Sequence, residues 1–133
     1  MRVYYADTSA VVKLLVEEAH SQALAAFYDR NSDAQWISSA LLRVEVTRAV
    51  ARTIPQLLPD ARDLLLAFAY VAIDDDIVDA AMEEPDRSLR SLDAIHLATA
   101  RLLASEMDAI VTYDDRLADA ATAAGLAVVS PRD

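Results

Sequence analysis

"VYYADTSA", residues 3–10, sets a run of β-branched and aromatic residues directly against an acid and two hydroxyl residues. Val3–Ala6 reads as a strand. Thr8 or Ser9 offers an N-cap for a helix running to about Ala19, so Asp7 falls on a strand-to-helix turn. The alternation continues along the chain. Strands are predicted near Gln35–Ser38, Val71–Ile73, Ala109–Thr112 and Ala127–Val129, and helices over Ser21–Arg30, Ser39–Ile54, Leu57–Tyr70, Asp76–Glu84, within Leu89–Ala104, and over Asp115–Ala124. Pro55 and Pro85 close the segments before them. Gly125, the only glycine, suits a left-handed helix cap. Strands alternating with helices in this way build βαβ units, so the expected fold class is α/β with five mainly parallel strands.

Composition narrows the chemistry. A chain of 133 residues, 55% hydrophobic, predicts one globular domain over residues 1–133. No stretch approaches the ~20 apolar residues of a membrane span, and the charged start lacks a leader pattern, so a soluble cytoplasmic protein is expected. With no cysteine and only His20 and His96, disulfides, thiolate nucleophiles and ordinary zinc sites are excluded, and any bound metal should be a hard ion held by oxygen. The formal charge of −10 argues against a basic nucleic-acid surface. It does not exclude a phosphate substrate, because acids loaded with cations become an anion site. A lone glycine excludes a Gly-rich phosphate loop.

Four acids stand apart by position. Asp7 follows the first strand and Asp114 the fourth, in "IVTYDDRL"; ligands of open parallel sheets bind at the carboxyl ends of strands. Glu45 lies in the second turn of the helix after the second strand, and Asp93 in the first turn of "LRSLDAIHLATARLLA", residues 89–104. Taken singly, each has an ordinary role: Asp7 as a cap, Glu45 as a partner of Arg48, Asp93 as a first-turn acid facing the helix dipole, Asp114 as a turn residue. Taken together, carboxylates converging on one sheet edge repel one another unless a cation neutralises them. A divalent cation that prefers oxygen, Mg²⁺, meets that cost.

The segments "YADTSA", "RVEVTRA", "SLDAIHLATA" and "VTYDDRLADAA" together resemble the PIN-domain ribonucleases, and most closely the VapC-like toxins of bacterial toxin–antitoxin pairs. The resemblance covers essentially the whole chain. It implies a three-layer α/β/α sandwich and a metal-dependent endoribonuclease that cuts single-stranded regions of RNA. It also implies that Asp7, Glu45, Asp93 and Asp114 form the catalytic, metal-holding quartet, with Thr8 and Thr112 as hydroxyl residues beside it. The doubled acid leaves Asp115 open as a substitute for Asp114 or an aid to it. A homodimer, and inhibition by a small VapB-like antitoxin, complete what the resemblance implies.

Other residues are read more plainly. His96 lies one turn beyond Asp93 and is expected to be a locally satisfied core histidine rather than a proton carrier. His20 reads as a linker residue, Trp36 as core, and Asp74–Asp76 as the solvated start of a helix. Arg43, Arg48, Arg52, Arg87, Arg90 and Arg116 lie near the proposed edge, where some can meet RNA phosphates. Two rival readings are a phosphoacceptor signalling domain and a catalytically silent PIN-like interaction module. The first lacks a lysine near its last strand.

Overall fold

The computed structural model describes residues 1–133. Its strands are β1 (Val3–Ala6), β2 (Gln35–Ser39), β3 (Ala69–Val71), β4 (Ala109–Val111) and β5 (Val128–Val129). The helices are α1 (Thr8–Leu15), α2 (Ser21–Arg30), α3 (Leu41–Thr53), α4 (Leu58–Leu65), α5 (Asp75–Met82), α6 (Ser91–Leu102) and α7 (Asp115–Ala123), with a 3-10 turn at Pro55–Leu57. All strand pairs are parallel, in the order β3-β2-β1-β4-β5. The chain therefore winds outward from β1 to β3, then returns to lay β4 on the other side of β1. The carboxyl ends of β1 and β4 flank this reversal, which is where an open parallel sheet leaves a crevice for a ligand. Phosphoacceptor domains place β1 between β2 and β3; here β1 lies between β2 and β4, and that rival falls.

Strand side chains alternate between two cores. Tyr4, Ala6, Trp36, Ala109 and Val111 pack on one face with Val11, Leu24, Leu42, Val46 and Leu65 of α1 to α4. Tyr5 and Ile110 point to the other face, against Leu97 and Ala100 of α6 and Leu117 and Ala121 of α7. Each fully buried Leu or Ile contributes roughly 1.5–3 kcal/mol. Helices on both faces give the three-layer sandwich expected. Trp36 is core, in contact with Tyr4, Phe27, Tyr28 and Phe68. No helix is long and apolar enough to cross a membrane.

Several boundaries differ from the sequence reading. The first helix ends at Leu15 rather than Ala19. Ser21 Oγ donates to the Lys13 carbonyl at 2.9 Å, and Lys13 Nζ donates to the Ala19 carbonyl at 2.7 Å, so side chains replace the next helical turn. The third helix begins at Leu41, because Ser39 still pairs with Val71 in the sheet and its hydroxyl accepts from Leu41 N. The expected helix Leu57–Tyr70 stops at Leu65, and the third strand sits at Ala69–Val71 instead of Val71–Ile73. Pairing of Ala69–Val71 with Ile37–Ser39 sets that register. Gly125 takes the left-handed conformation, φ +83°.

Candidate active site

Asp7 continues β1 by one residue, its backbone N–H donating to Val111 O at 3.3 Å. Its side chain then caps α1. Oδ1 accepts from Ala10 N at 3.1 Å and from Ser9 Oγ at 2.7 Å, while Oδ2 accepts from Thr112 Oγ1 at 2.7 Å. Asp7 is 3% exposed. Burial pushes its pKa above the ordinary carboxylate value against the pull of His96 and of these donors.

Thr112 ties two acids together. Besides donating to Asp7, its hydroxyl accepts from Asp114 N at 3.1 Å. Ser9 Oγ likewise accepts from Tyr113 N at 2.9 Å, pinning the same loop to the start of α1. Asp114 is the N-cap of α7, its Oδ1 accepting from Leu117 N at 3.0 Å. Asp115 is exposed beside it. Both line a cleft of about 340 Å³ with Asp93, Arg90 and Arg116.

Asp93 is half-buried in the first turn of α6. Its pKa is raised, first by burial, then by the charges of Asp114 and Asp7, with Glu45 adding a smaller push and His96 pulling the other way. The fold thus brings Asp7, Glu45 and Asp114 within electrostatic range of Asp93 at the switch point. Asp93 and Asp114 line the cleft while Asp7 and Glu45 do not, and no three Asp, Glu or His side chains are grouped closely enough to hold one ion. Asp7, Asp114 and Glu45 each accept hydrogen bonds from protein donors. No lysine, arginine or N-terminal amine forms an ion pair with Asp7, Asp93, Asp114 or Glu45. An all-oxygen donor set with uncompensated charge suits a hard divalent cation in kind.

Glu45, on α3, is partly exposed and faces His96. His96 Nε2 lies 2.7 Å from Glu45 Oε1, and Thr8 Oγ1 donates to the same oxygen at 2.6 Å. Burial works to raise the Glu45 pKa, but the hydrogen bonds from His96 and Thr8 outweigh it and leave it below the ordinary value. His96 is buried as the sequence suggests, but its nitrogens are satisfied by distant residues, Tyr5 and Glu45, and not locally or by its helix neighbour Asp93. Ser9 and Tyr5 had no visible signal beyond lying in "VYYADTSA"; only the hydrogen bonds across the sheet reveal them. Among the arginines, Arg90 and Arg116 reach the cleft, whereas Arg43 stacks on Tyr70 at 4.5 Å, elsewhere on the surface. His20 sits in the left-handed region and stacks on Tyr113.

Comparison with known proteins gives a consistent picture. Residues 4–123 match the PIN domain family model. The chain is 46% identical over 129 residues to Ribonuclease VapC35 of Mycobacterium tuberculosis, covering 96% of each protein. Its fold is similar to that of Mycobacterium tuberculosis VapC20, a Sarcin-Ricin loop cleaving toxin, with a TM-score of 0.77, 17% identity, and coverage of 96% and 99%. A toxin-antitoxin complex from Klebsiella pneumoniae contains a chain that matches with a TM-score of 0.70 at 20% identity, covering 100% of this chain and 99% of that one.

Proposed function

The chain belongs to the PIN-domain family, among its VapC ribonucleases, and on that premise we propose that it is an endoribonuclease that hydrolyses single-stranded RNA as the toxin of a toxin–antitoxin pair. The observation that carries the reading is Asp93, a half-buried carboxylate without a paired cation, pressed by the charges of Asp114, Asp7 and Glu45 at the sheet's switch point. Such an arrangement is costly in the isolated chain and suits a site completed by a divalent cation.

Asp7, Asp93 and Asp114, with Glu45 at their side, are the groups that would hold Mg²⁺ or Mn²⁺. When bound, that ion would neutralise charge on phosphate oxygens and lower the pKa of a coordinated water, raising the share of hydroxide available at neutral pH. The chain's own residues do the orienting. Thr112 and Ser9 fix the Asp7 carboxylate and the loop before Asp114 in one relation. Arg90 and Arg116, at the cleft and unpaired with its acids, are placed to hold flanking phosphates. Asp115 assists from the exposed side of the cleft, while Asp114 takes the inner position.

A cytoplasmic location and a VapB-like antitoxin follow from the same reading. Leu66 is 80% exposed and Val44 56% exposed, apolar surface that a second copy or the antitoxin can cover. The decisive experiment incubates purified protein with a single-stranded RNA. Cleavage should stop in EDTA, return with Mg²⁺ or Mn²⁺, and be absent from Asp93→Asn under both conditions. Cleavage that persists in chelator, or in the variant, overturns the assignment. Expression in a bacterial host should arrest growth, and co-expression of the antitoxin should restore it.

A further inference from the structure

One buried line of hydrogen bonds runs from the core to the edge of the acidic site. Tyr5 Oη lies 2.6 Å from His96 Nδ1, His96 Nε2 lies 2.7 Å from Glu45 Oε1, and Thr8 Oγ1 donates to that oxygen at 2.6 Å. Tyr5 and His96 are 0% and 1% exposed. Hydrogen accounting assigns the direction. The Tyr5 hydroxyl shares a hydrogen bond with Nδ1 and stays protonated, burial pushing its pKa far above the ordinary tyrosine value. A carboxylate oxygen can only accept, so a ring hydrogen sits on Nε2 and Nε2 donates to Glu45. No buried side-chain nitrogen or oxygen is left without a partner.

A histidine used only to fill space would be an expensive choice among Leu97, Ala98 and Ala100, because each polar atom buried there needs a partner. Instead β1, α6 and the start of α1 supply polar groups that lead to one oxygen of a partly exposed carboxylate on α3. Both donors land on Oε1, which leaves Oε2 without a protein hydrogen bond. We propose that Tyr5 and His96, together with Thr8, are positioning residues that hold Glu45 by Oε1 and keep Oε2 free for the cation or substrate of the adjacent cleft. The use made of Oε2 rests on the nuclease reading; the holding of Oε1 does not. Partners that orient a ligating group from behind typically change metal affinity or activity by ~10–100-fold when removed.

Two measurements test it. Nitrogen NMR of histidine-labelled protein should find a hydrogen on His96 Nε2, and Tyr5→Phe should shift the Nδ1 resonance; an Nε2 without hydrogen in the wild type overturns the proposal. Binding of Mn²⁺ alone, followed by electron paramagnetic resonance, should weaken by ~10–100-fold in His96→Leu. In His96→Gln, whose amide can reach the Nε2 position, affinity should stay near that of the wild type. On RNA, His96→Leu should lower kcat with little change in KM. Wild-type Mn²⁺ affinity in a folded His96→Leu overturns the proposal. If that variant does not fold, Tyr5→Phe carries the test, and unchanged Mn²⁺ affinity there counts equally against it. A wild type that cuts no RNA but loses Mn²⁺ affinity in these variants removes the nuclease reading and leaves the positioning role standing.

Discussion

Thr112 and Asp7 are 105 residues apart in sequence and 2.7 Å apart in space, hydroxyl to carboxylate, at the adjoining ends of β4 and β1. Parallel pairing of the two strands makes the meeting possible, and burial makes it consequential. Thr112→Val keeps the shape and removes the donor, leaving a buried acceptor short of one hydrogen bond. The variant is expected to lose ~1–3 kcal/mol of stability in urea unfolding, whereas Thr112→Ser should stay near the wild type. RNA cleavage should follow the same order, because the hydroxyl also holds the backbone of Asp114.

Carboxylate-to-amide changes at Asp7 and Asp93 should diverge. Reasoning from repulsion alone makes both neutral or stabilising in the metal-free protein, and for Asp93 that stands, since it lacks a paired cation and its neighbours are negative. Asp7 is different. Its two oxygens accept from Ala10 N, Ser9 and Thr112, so an amide nitrogen in place of either one loses the bond from Ala10 N or reverses that from a hydroxyl. Asp7→Asn is expected to destabilise by ~1–3 kcal/mol, Asp93→Asn to leave stability equal or higher, and both to abolish cleavage. Thermal unfolding in EDTA separates the two.

That contrast marks what was legible in the chain and what was not. Strand-end acids and the βα alternation were legible because periodicity and turn residues are local signals. The register of β3 was not, because "LLLAFAYVAI" carries no glycine or proline and only its pairing with Ile37–Ser39 sets where the strand begins. Asp93 and Asp114 could be placed on the same edge from sequence. The tie between His96 and Glu45 could not, since residues 51 apart give no local sign of contact. Nor does sequence give the distances among the acids: Asp93 lies in electrostatic range of the other three, yet no three of these side chains are grouped closely enough to hold one ion.

The raised pKa of Asp93 sets a pH dependence with a definite sign. Its folded pKa lies above the unfolded value of about 3.9, so the folded state binds the proton more tightly and ionised Asp93 penalises the fold at neutral pH. Stability therefore falls as pH rises from the unfolded pKa through the folded one. The advantage of metal-free Asp93→Asn over the wild type should be full at pH 7 and shrink to nothing below about pH 3.9. Glu45 works oppositely: its lowered pKa gives stability at neutral pH that is lost as pH falls through the folded value. Denaturant titrations of the wild type, Asp93→Asn and Glu45→Gln across acid pH check both signs, and a pH-independent difference for Asp93→Asn removes the repulsion account.

Arg90 and Arg116 carry the last expectation. They flank Asp93, Asp114 and Asp115 in one cleft, yet neither is ion-paired to an acid there. Arg116 makes only a long 3.4 Å contact to the Ser88 carbonyl, so most of its guanidinium is available to a ligand. In a chain of net charge −10 these are the cations best placed to offset repulsion of a phosphate strand close to the acids. Replacing either with Ala should raise KM for RNA about tenfold, the equivalent of ~1.4 kcal/mol, with a smaller effect on kcat. Each loss should also flatten the dependence of binding on salt, by roughly 0.7 in the log–log slope for a single strand. Charge-preserving Lys variants should keep the salt slope while losing part of the affinity, because a point charge lacks the planar fork. A pair of Ala variants with unchanged KM and unchanged salt slope would place the RNA path on another side of the cleft.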